Sequence, residues 1–205
     1  IHIMIEDKSY PIHNTTPDVV DLQHILNQMV NEGVTHCIME VSSHALALGR
    51  VSGVEYDTAV FTNLTQDHLD FHKTFENYLA AKCKLFEQVS ASNQVKTGKG
   101  AVINIDDPYG HRVVEATTAP TMTYSTQGKG TLNAHDVTMT SKTSTYTIEF
   151  DGKQYPIKMN TTGLFNVYNT LAAIGACLYE NISMEKIDEA LQSFRSVPGR
   201  FELIE

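Results

Sequence analysis

Between Gln66 and His72 the chain packs two aspartates and two histidines into Asp67-His68-Leu69-Asp70-Phe71-His72, and Lys82 follows ten residues later. Glu40 closes an apolar run over 35–39, and Asn63 closes a second over 58–62. Carboxylates, amides and imidazoles are groups that hold metal ions and orient anions. Histidines four apart on a helix face one way, which suits zinc. Oxygen-rich surroundings, and no cysteine at ligand spacing, favour Mg²⁺ instead. The plainer alternative is a polar loop with capping carboxylates. Lys82 lies on the apolar face of its helix, either with its stem buried and its ammonium in water or as a desolvated amine with lowered pKa. Such an amine reacts with CO₂ to a carbamate, which offers a metal two oxygens.

These groups need elements to position them. The runs 35–39 and 58–62 read as buried strands, and in a parallel sheet ligands gather beyond the carboxyl ends of the strands. Residues 1–12 alternate around Asp7-Lys8 as a β-hairpin. A helix over 18–31 places Val19, Leu22, Ile25, Leu26, Met29 and Val30 on one stripe, with Pro17 at its start and Gly33 at its end. Ser42 and Ser43 cap a short helix over 45–49, with Arg50 just beyond. One helical turn over 67–70 precedes a helix over 75–89, and 88–100 is polar and loop-like. A strand over 101–105 leads to a helix started by Asp106-Asp107-Pro108, and 121–124 is another strand. Around turns at Ser141-Lys142 and Asp151-Gly152, residues 131–159 alternate as three antiparallel strands. Helices return over 164–179 and 183–193. The fold class is α/β: a mostly parallel sheet flanked by helices, with a smaller antiparallel β-sheet.

A net charge of −9 in 205 residues, with no basic stripe, excludes a nucleic-acid surface. No apolar run approaches a membrane span, so no membrane insertion is expected. Cys37, Cys83 and Cys177 are widely spaced in apolar segments and read as buried thiols of a reducing cytoplasm. The chain starts in mid-strand without methionine, as expected of a fragment. Gln127-Gly128-Lys129-Gly130-Thr131 imitates a phosphate loop but has Thr123 where that motif's first glycine falls. Asn166 and Asn169 open the helix after Gly163; capping occupies one amide and leaves one for a ligand.

Taken in order, Asn14-Thr15-Thr16-Pro17, Met39-Glu40-Val41-Ser42-Ser43-His44, Phe61-Thr62-Asn63-Leu64, Asp67-His68-Leu69-Asp70, Ala80-Ala81-Lys82, Gly163 to Asn169 and Pro198-Gly199-Arg200-Phe201-Glu202 resemble the central, ATP-binding domain of the Mur ligases. Each motif is weak alone; the ordered set is specific. The resemblance is strongest to the member that joins a diamino acid, meso-diaminopimelate or L-lysine, to UDP-N-acetylmuramoyl-L-alanyl-D-glutamate through an acyl phosphate. It implies ATP and Mg²⁺ as cofactors, with Glu40 on one Mg²⁺ and His68 and an N6-carboxylated Lys82 serving a second. Thr15, Thr16, Ser42 and Arg50, with Asn14 beside them, would hold the UDP-muramoyl-dipeptide. Asn166 and Asn169 would lie at the adenine, and Arg200 near the ribose and phosphates. Leu48 stands where some relatives carry glutamine, which removes one substrate hydrogen bond. The family's phosphate loop precedes this segment, and its uridine-binding and amino-acid-selecting domains flank it; none is present in the sequence, so the 205 residues alone are expected to be inactive. A folylpolyglutamate synthase-like ligase, a non-catalytic binding remnant and a carbamyl-lysine hydrolase are the competing readings.

Overall fold

The computed structural model describes residues 2–90 and 99–195. The chain divides into two compact units, 1–55 with 66–85, and 56–65 with 86–205.

The first unit opens with the expected hairpin, β1 (Ile3–Ile5) paired antiparallel to β2 (Lys8–Tyr10). Helix α1 (Val19–Asn31) follows, and Gly33 stops it at φ +81°, a left-handed conformation that costs glycine little. Ser42 caps α2 (Ser43–Ala47): its hydroxyl accepts from the Ala45 N–H at 3.2 Å. The turn α3 (Leu69–His72) leads into α4 (Phe75–Ser90), and the boundary between the units falls inside α4. One expectation fails here. Residues 34–42 carry no regular structure; Ile38 is 99% exposed, and Cys37, expected to be buried, is exposed with it. A strand exists only through a hydrogen-bonded neighbour, and among the described residues this segment has none.

The second unit is built on a six-stranded sheet in the order β3 (Thr58–Phe61), β4 (Gly100–Asn104), β5 (Thr121–Ser125), β6 (Leu132–Met139), β7 (Ser144–Phe150), β8 (Lys153–Met159). The pairs β3–β4, β4–β5 and β5–β6 are parallel, and the last two pairs are antiparallel. The three late strands therefore continue the parallel sheet rather than forming a sheet of their own. Every residue of β4 is buried, which matches its unbroken apolar run and its central place. Helix α5 (Gly110–Glu115) begins two residues beyond Pro108, because Asp107 first closes a turn by accepting from the Tyr109 N–H at 2.9 Å. Helices α6 (Leu164–Tyr179) and α7 (Met184–Ser193) complete the unit.

The core lies between the sheet and these last two helices. Val102, Tyr124, Leu132, Ile148, Leu171 and Ile174 are all fully buried there. A Cβ on Gly175 would stand 2.5 Å from the Val102 side chain, so a glycine is needed for α6 to lie this close to β4.

Parallel neighbours β5 and β6 are joined by only six residues, where a crossover usually takes a dozen or more. The return is made by side chains. Ser125 Oγ accepts from the N–H groups of Gln127 and Lys129, and Asn133 both accepts from the Gly130 N–H and donates to the Gly130 carbonyl. A Cβ on Gly130 would lie 2.8 Å from the Thr123 carbonyl oxygen. This segment is the phosphate-loop imitation, and the N–H groups of Gln127, Lys129, Gly130 and Thr131 are spent inside the protein. Lys129 binds Gln127 at 2.8 Å. It is a strand connector.

Candidate functional site

In the first unit three of the residues expected to hold substrate, Thr16, Ser42 and Arg50, form one hydrogen-bonded cluster. Thr16 is fully buried; its hydroxyl donates to the Glu40 carbonyl at 2.9 Å and accepts from the Ser42 N–H at 3.0 Å. That hydroxyl is a brace between the end of 34–42 and the cap of α2. Arg50 donates to the Thr16 carbonyl and pairs through Nε with Asp18 at 2.9 Å, so Asp18 serves Arg50 rather than capping α1. Thr15 is half-buried, and Asn14 and Glu40 are exposed. Asn14 and Asp18 form a polar end of a hollow of about 340 Å³ between the hairpin and α1, floored by Ile3, Ile5, Ile12 and Ile25.

A second cluster in the same unit gathers around Tyr78 on α4. Its ring stacks on His72, with centroids 5.1 Å apart and planes at 20°, and meets the His68 ring edge-on at 5.9 Å. Lys82 Nζ stands 5.4 Å above the same ring. His44 adds its imidazole 4.9 Å from that of His68. His68 itself has left-handed backbone, φ +56°, a conformation that costs a residue with a Cβ on the order of 1 kcal/mol and clusters at functional turns. So His68 and Lys82, proposed from sequence as partners, do flank one aromatic ring. Among the described residues, no three His, Cys, Asp or Glu side chains converge closely enough to hold a metal ion.

His72, read from sequence only as the second of two histidines four apart, and Ser43, read as a helix cap, meet in this cluster. Both are buried, and His72 Nε2 lies 2.9 Å from Ser43 Oγ. Burial, helped by His44 and His68, holds the His72 pKa below its ordinary value. The folded state therefore binds fewer protons than the unfolded chain, and acidification favours unfolding. Stability should begin to fall as pH drops through the unfolded histidine value near 6.5 and continue to fall until the lower folded value is passed. His72→Asn should flatten that part of the curve, measured as unfolding free energy against pH. An unchanged slope would remove His72 as its source.

In the second unit the carboxyl ends of β3 and β4 open onto a cleft of about 280 Å³, closed by the N-terminal turn of α6. Thr62 and Asn63 come from the end of β3, Asn104, Asp106 and Asp107 from the end of β4, and Phe165, Tyr168 and Asn169 from α6. This is where an open parallel sheet places a ligand. Asn104 is nearly buried; its amide donates to the Thr62 carbonyl at 2.8 Å, and its carbonyl oxygen accepts from the Asp106 N–H at 3.0 Å. Asp107 accepts from the Leu64 N–H at 3.0 Å, tying the two strand ends together.

The two asparagines of α6 have different fates. The Asn166 amide donates to the Thr162 carbonyl at 2.7 Å, a local tie at the helix start, whereas Asn169 lines the cleft. Gly163 has φ +102°, and a Cβ there would press into the Phe165 ring at 2.4 Å, so this glycine lets the ring sit at the cleft. Arg200 lies outside the described residues. The signal for Asp106 and Asp107 was present in Asn104-Ile105-Asp106-Asp107-Pro108, polar residues directly after a wholly apolar strand, but it reads equally as a helix start.

A six-stranded, mostly parallel sheet with helices packed on it makes this an α/β protein. The chain belongs to the Mur ligase middle domain family, whose model matches residues 1–177. It is 44% identical over 200 residues to UDP-N-acetylmuramoyl-L-alanyl-D-glutamate–2,6-diaminopimelate ligase 1 of Clostridium acetobutylicum, covering 98% of this chain and 40% of that protein. It is 45% identical over 205 residues to the corresponding ligase of Geobacillus kaustophilus, covering 100% of this chain and 42% of that protein. A solved structure of a UDP-N-acetylmuramoyl-L-alanyl-D-glutamate–2,6-diaminopimelate ligase superposes with a TM-score of 0.82 at 28% identity, over 97% of this chain and 41% of that one. The chain thus spans about two fifths of the length of the relatives it matches. No described helix is long and apolar enough to cross a membrane.

Proposed function

We propose that this chain is the central part of a cytoplasmic ligase that uses ATP to join 2,6-diaminopimelate to UDP-N-acetylmuramoyl-L-alanyl-D-glutamate, a step of peptidoglycan synthesis. The observation that carries the reading is the 44% identity to a ligase of that name across 98% of the chain. The family motifs, in family order, support it, and so does a cleft at the carboxyl edge of the parallel strands.

In this reading the cleft of the second unit takes the adenine end of the nucleotide, with the Asn169 amide offering both donor and acceptor to a base edge and Phe165 an aromatic wall. Arg200 would reach the ribose and phosphates. Arg50, held by Asp18 and the Thr16 carbonyl, is oriented before substrate arrives; with Ser42, Thr15 and Asn14 it would bind the muramoyl-dipeptide. A preset arginine loses less entropy on binding an anionic group.

The donor chemistry suits Mg²⁺. Glu40 would hold one ion, and His68 with an N6-carboxylated Lys82 the other. Mg²⁺, when bound, offsets charge as a phosphoryl group passes from ATP to the substrate carboxylate. The left-handed His68 fixes its imidazole in the turn, and Tyr78 supports both His68 and Lys82 from beneath.

The test is phosphate release by the whole polypeptide that carries this chain. Release should require ATP, UDP-muramoyl-dipeptide and diaminopimelate together. Arg50→Ala should raise the KM for the muramoyl substrate on the order of ten- to a hundredfold, the loss of one charge-assisted hydrogen bond of about 1.5–3 kcal/mol. The KM for ATP should stay put. Phosphate release without the amino acid would replace the ligase with a hydrolase.

A further inference from the structure

Asp106 holds more of the second unit together than any other side chain at the cleft. Its Oδ1 accepts from the Ser125 hydroxyl at 2.7 Å. Its Oδ2 accepts from the Thr126 N–H at 2.7 Å, the Thr126 hydroxyl at 3.2 Å and the Tyr168 hydroxyl at 2.8 Å. The Thr126 and Tyr168 hydroxyls are themselves 2.7 Å apart. One carboxylate therefore joins the end of β4, the short β5–β6 return and the first turns of α6.

Burial by itself would raise the Asp106 pKa, but the hydrogen bonds from Ser125, Thr126 and Tyr168 outweigh it and the net shift is downward. The group is an anion at neutral pH. With Asp107 beside it, and no lysine or arginine among the described cleft residues, these carboxylates repel phosphate. Its chemistry suits the uncharged base and sugar end of a nucleotide, presented to the Asn169 amide and the Phe165 ring. Tyr168 precedes Asn169 in the chain and lies one helical turn from Phe165. Whatever fixes Tyr168 fixes both.

We infer that Asp106 is the positioning residue of the nucleotide cleft: through the Tyr168 hydroxyl it sets the first turns of α6 so that Asn169 and Phe165 face a purine base. This rests on the nucleotide reading above. Asp106 acts on the base through α6 and touches no reacting atom.

Four variants of the whole polypeptide test it: Asp106→Asn, Tyr168→Phe, the double variant, and Asn169→Ala. Asp106→Asn and Tyr168→Phe should each raise the KM for ATP roughly tenfold, the effect of losing a hydrogen bond to a charged group. Both should narrow the preference for ATP over GTP and leave kcat and the muramoyl KM unchanged. The double variant should raise the KM for ATP no further than the worse single variant, because the two residues act through one contact. Additive losses, or parallel shifts in both KM values and in Tm, would mean that Asp106 only braces the β5–β6 return, and would overturn the inference. Should Asp106→Asn fail to fold, Tyr168→Phe removes a single hydroxyl and decides the matter alone. If Asn169→Ala leaves the KM for ATP unchanged, the nucleotide reading itself fails. If it raises that KM while the other two variants do not, only the positioning role fails.

Discussion

Replacing Lys82 with alanine or arginine should abolish ligase turnover, a loss in kcat on the order of 10³-fold, the scale of removing a group that meets charge developing in the transition state. The proposal turns on what surrounds the amine. Lys82 Nζ and the His68 ring share the face and edge of Tyr78, with the His44 ring next to His68. An ammonium there would be repelled by any dication that His68 helps to hold. A carbamate in its place is an anion with two oxygens. The simpler role, a lysine whose stem packs on α4 and whose charge rests over Tyr78, predicts a different result, because Lys82→Arg keeps both the stem and the charge. Formate or acetate supplied to the alanine variant should restore part of the rate by returning a carboxylate to the gap. Mass spectrometry of the intact enzyme with Mg²⁺ and nucleotide should find the mass of one added CO₂. A Lys82→Arg variant with wild-type kcat would end the proposal.

The second expected result is complete silence: the 205 residues tested by themselves should release no phosphate from ATP, with or without the muramoyl-dipeptide and diaminopimelate. Phosphoryl transfer needs backbone N–H groups and a lysine wrapped around the transferring group. The segment resembling such a loop, Gln127 to Thr131, has the N–H groups of Gln127, Lys129, Gly130 and Thr131 bonded to Ser125, Asn133 and Thr123, and its lysine bonded to Gln127. Nothing there can open to a phosphate without undoing the β5–β6 return. Steady ATP-dependent turnover by this polypeptide would sink the argument, and with it the view that its cleft handles only the base end of the nucleotide.

The two results are independent. Silence of the short polypeptide is a statement about phosphate binding, and it would hold whether or not Lys82 is modified. Loss of activity on replacing Lys82 concerns charge at the second cluster, and it must be measured where the phosphates are held.

Residue order and periodicity alone determined most of the local architecture. Alternation around Asp7 and Lys8 gave the hairpin, the 3.6-residue stripe from Val19 to Val30 gave α1, and the all-apolar run after Gly100 gave a strand buried on both faces. These are properties of neighbours in sequence, so the chain states them directly. The ordered motifs likewise carried the family. Tertiary structure decided the rest, because pairing and burial depend on partners distant in sequence. Residues 35–39 have the composition of a buried strand yet lack a ladder neighbour among the described residues, so they form none. Thr16 reads as a substrate hydroxyl; only the folded chain shows it buried, donating to the Glu40 carbonyl and accepting from the Ser42 N–H. Asn166 and Asn169 are equivalent on paper; only the folded chain shows the Asn166 amide reaching back to the Thr162 carbonyl while Asn169 lines the cleft. Asp106 looked like the start of a helix, and only the folded chain brings Ser125, Thr126 and Tyr168 to its two oxygens, across separations of 19, 20 and 62 residues that no local pattern can record.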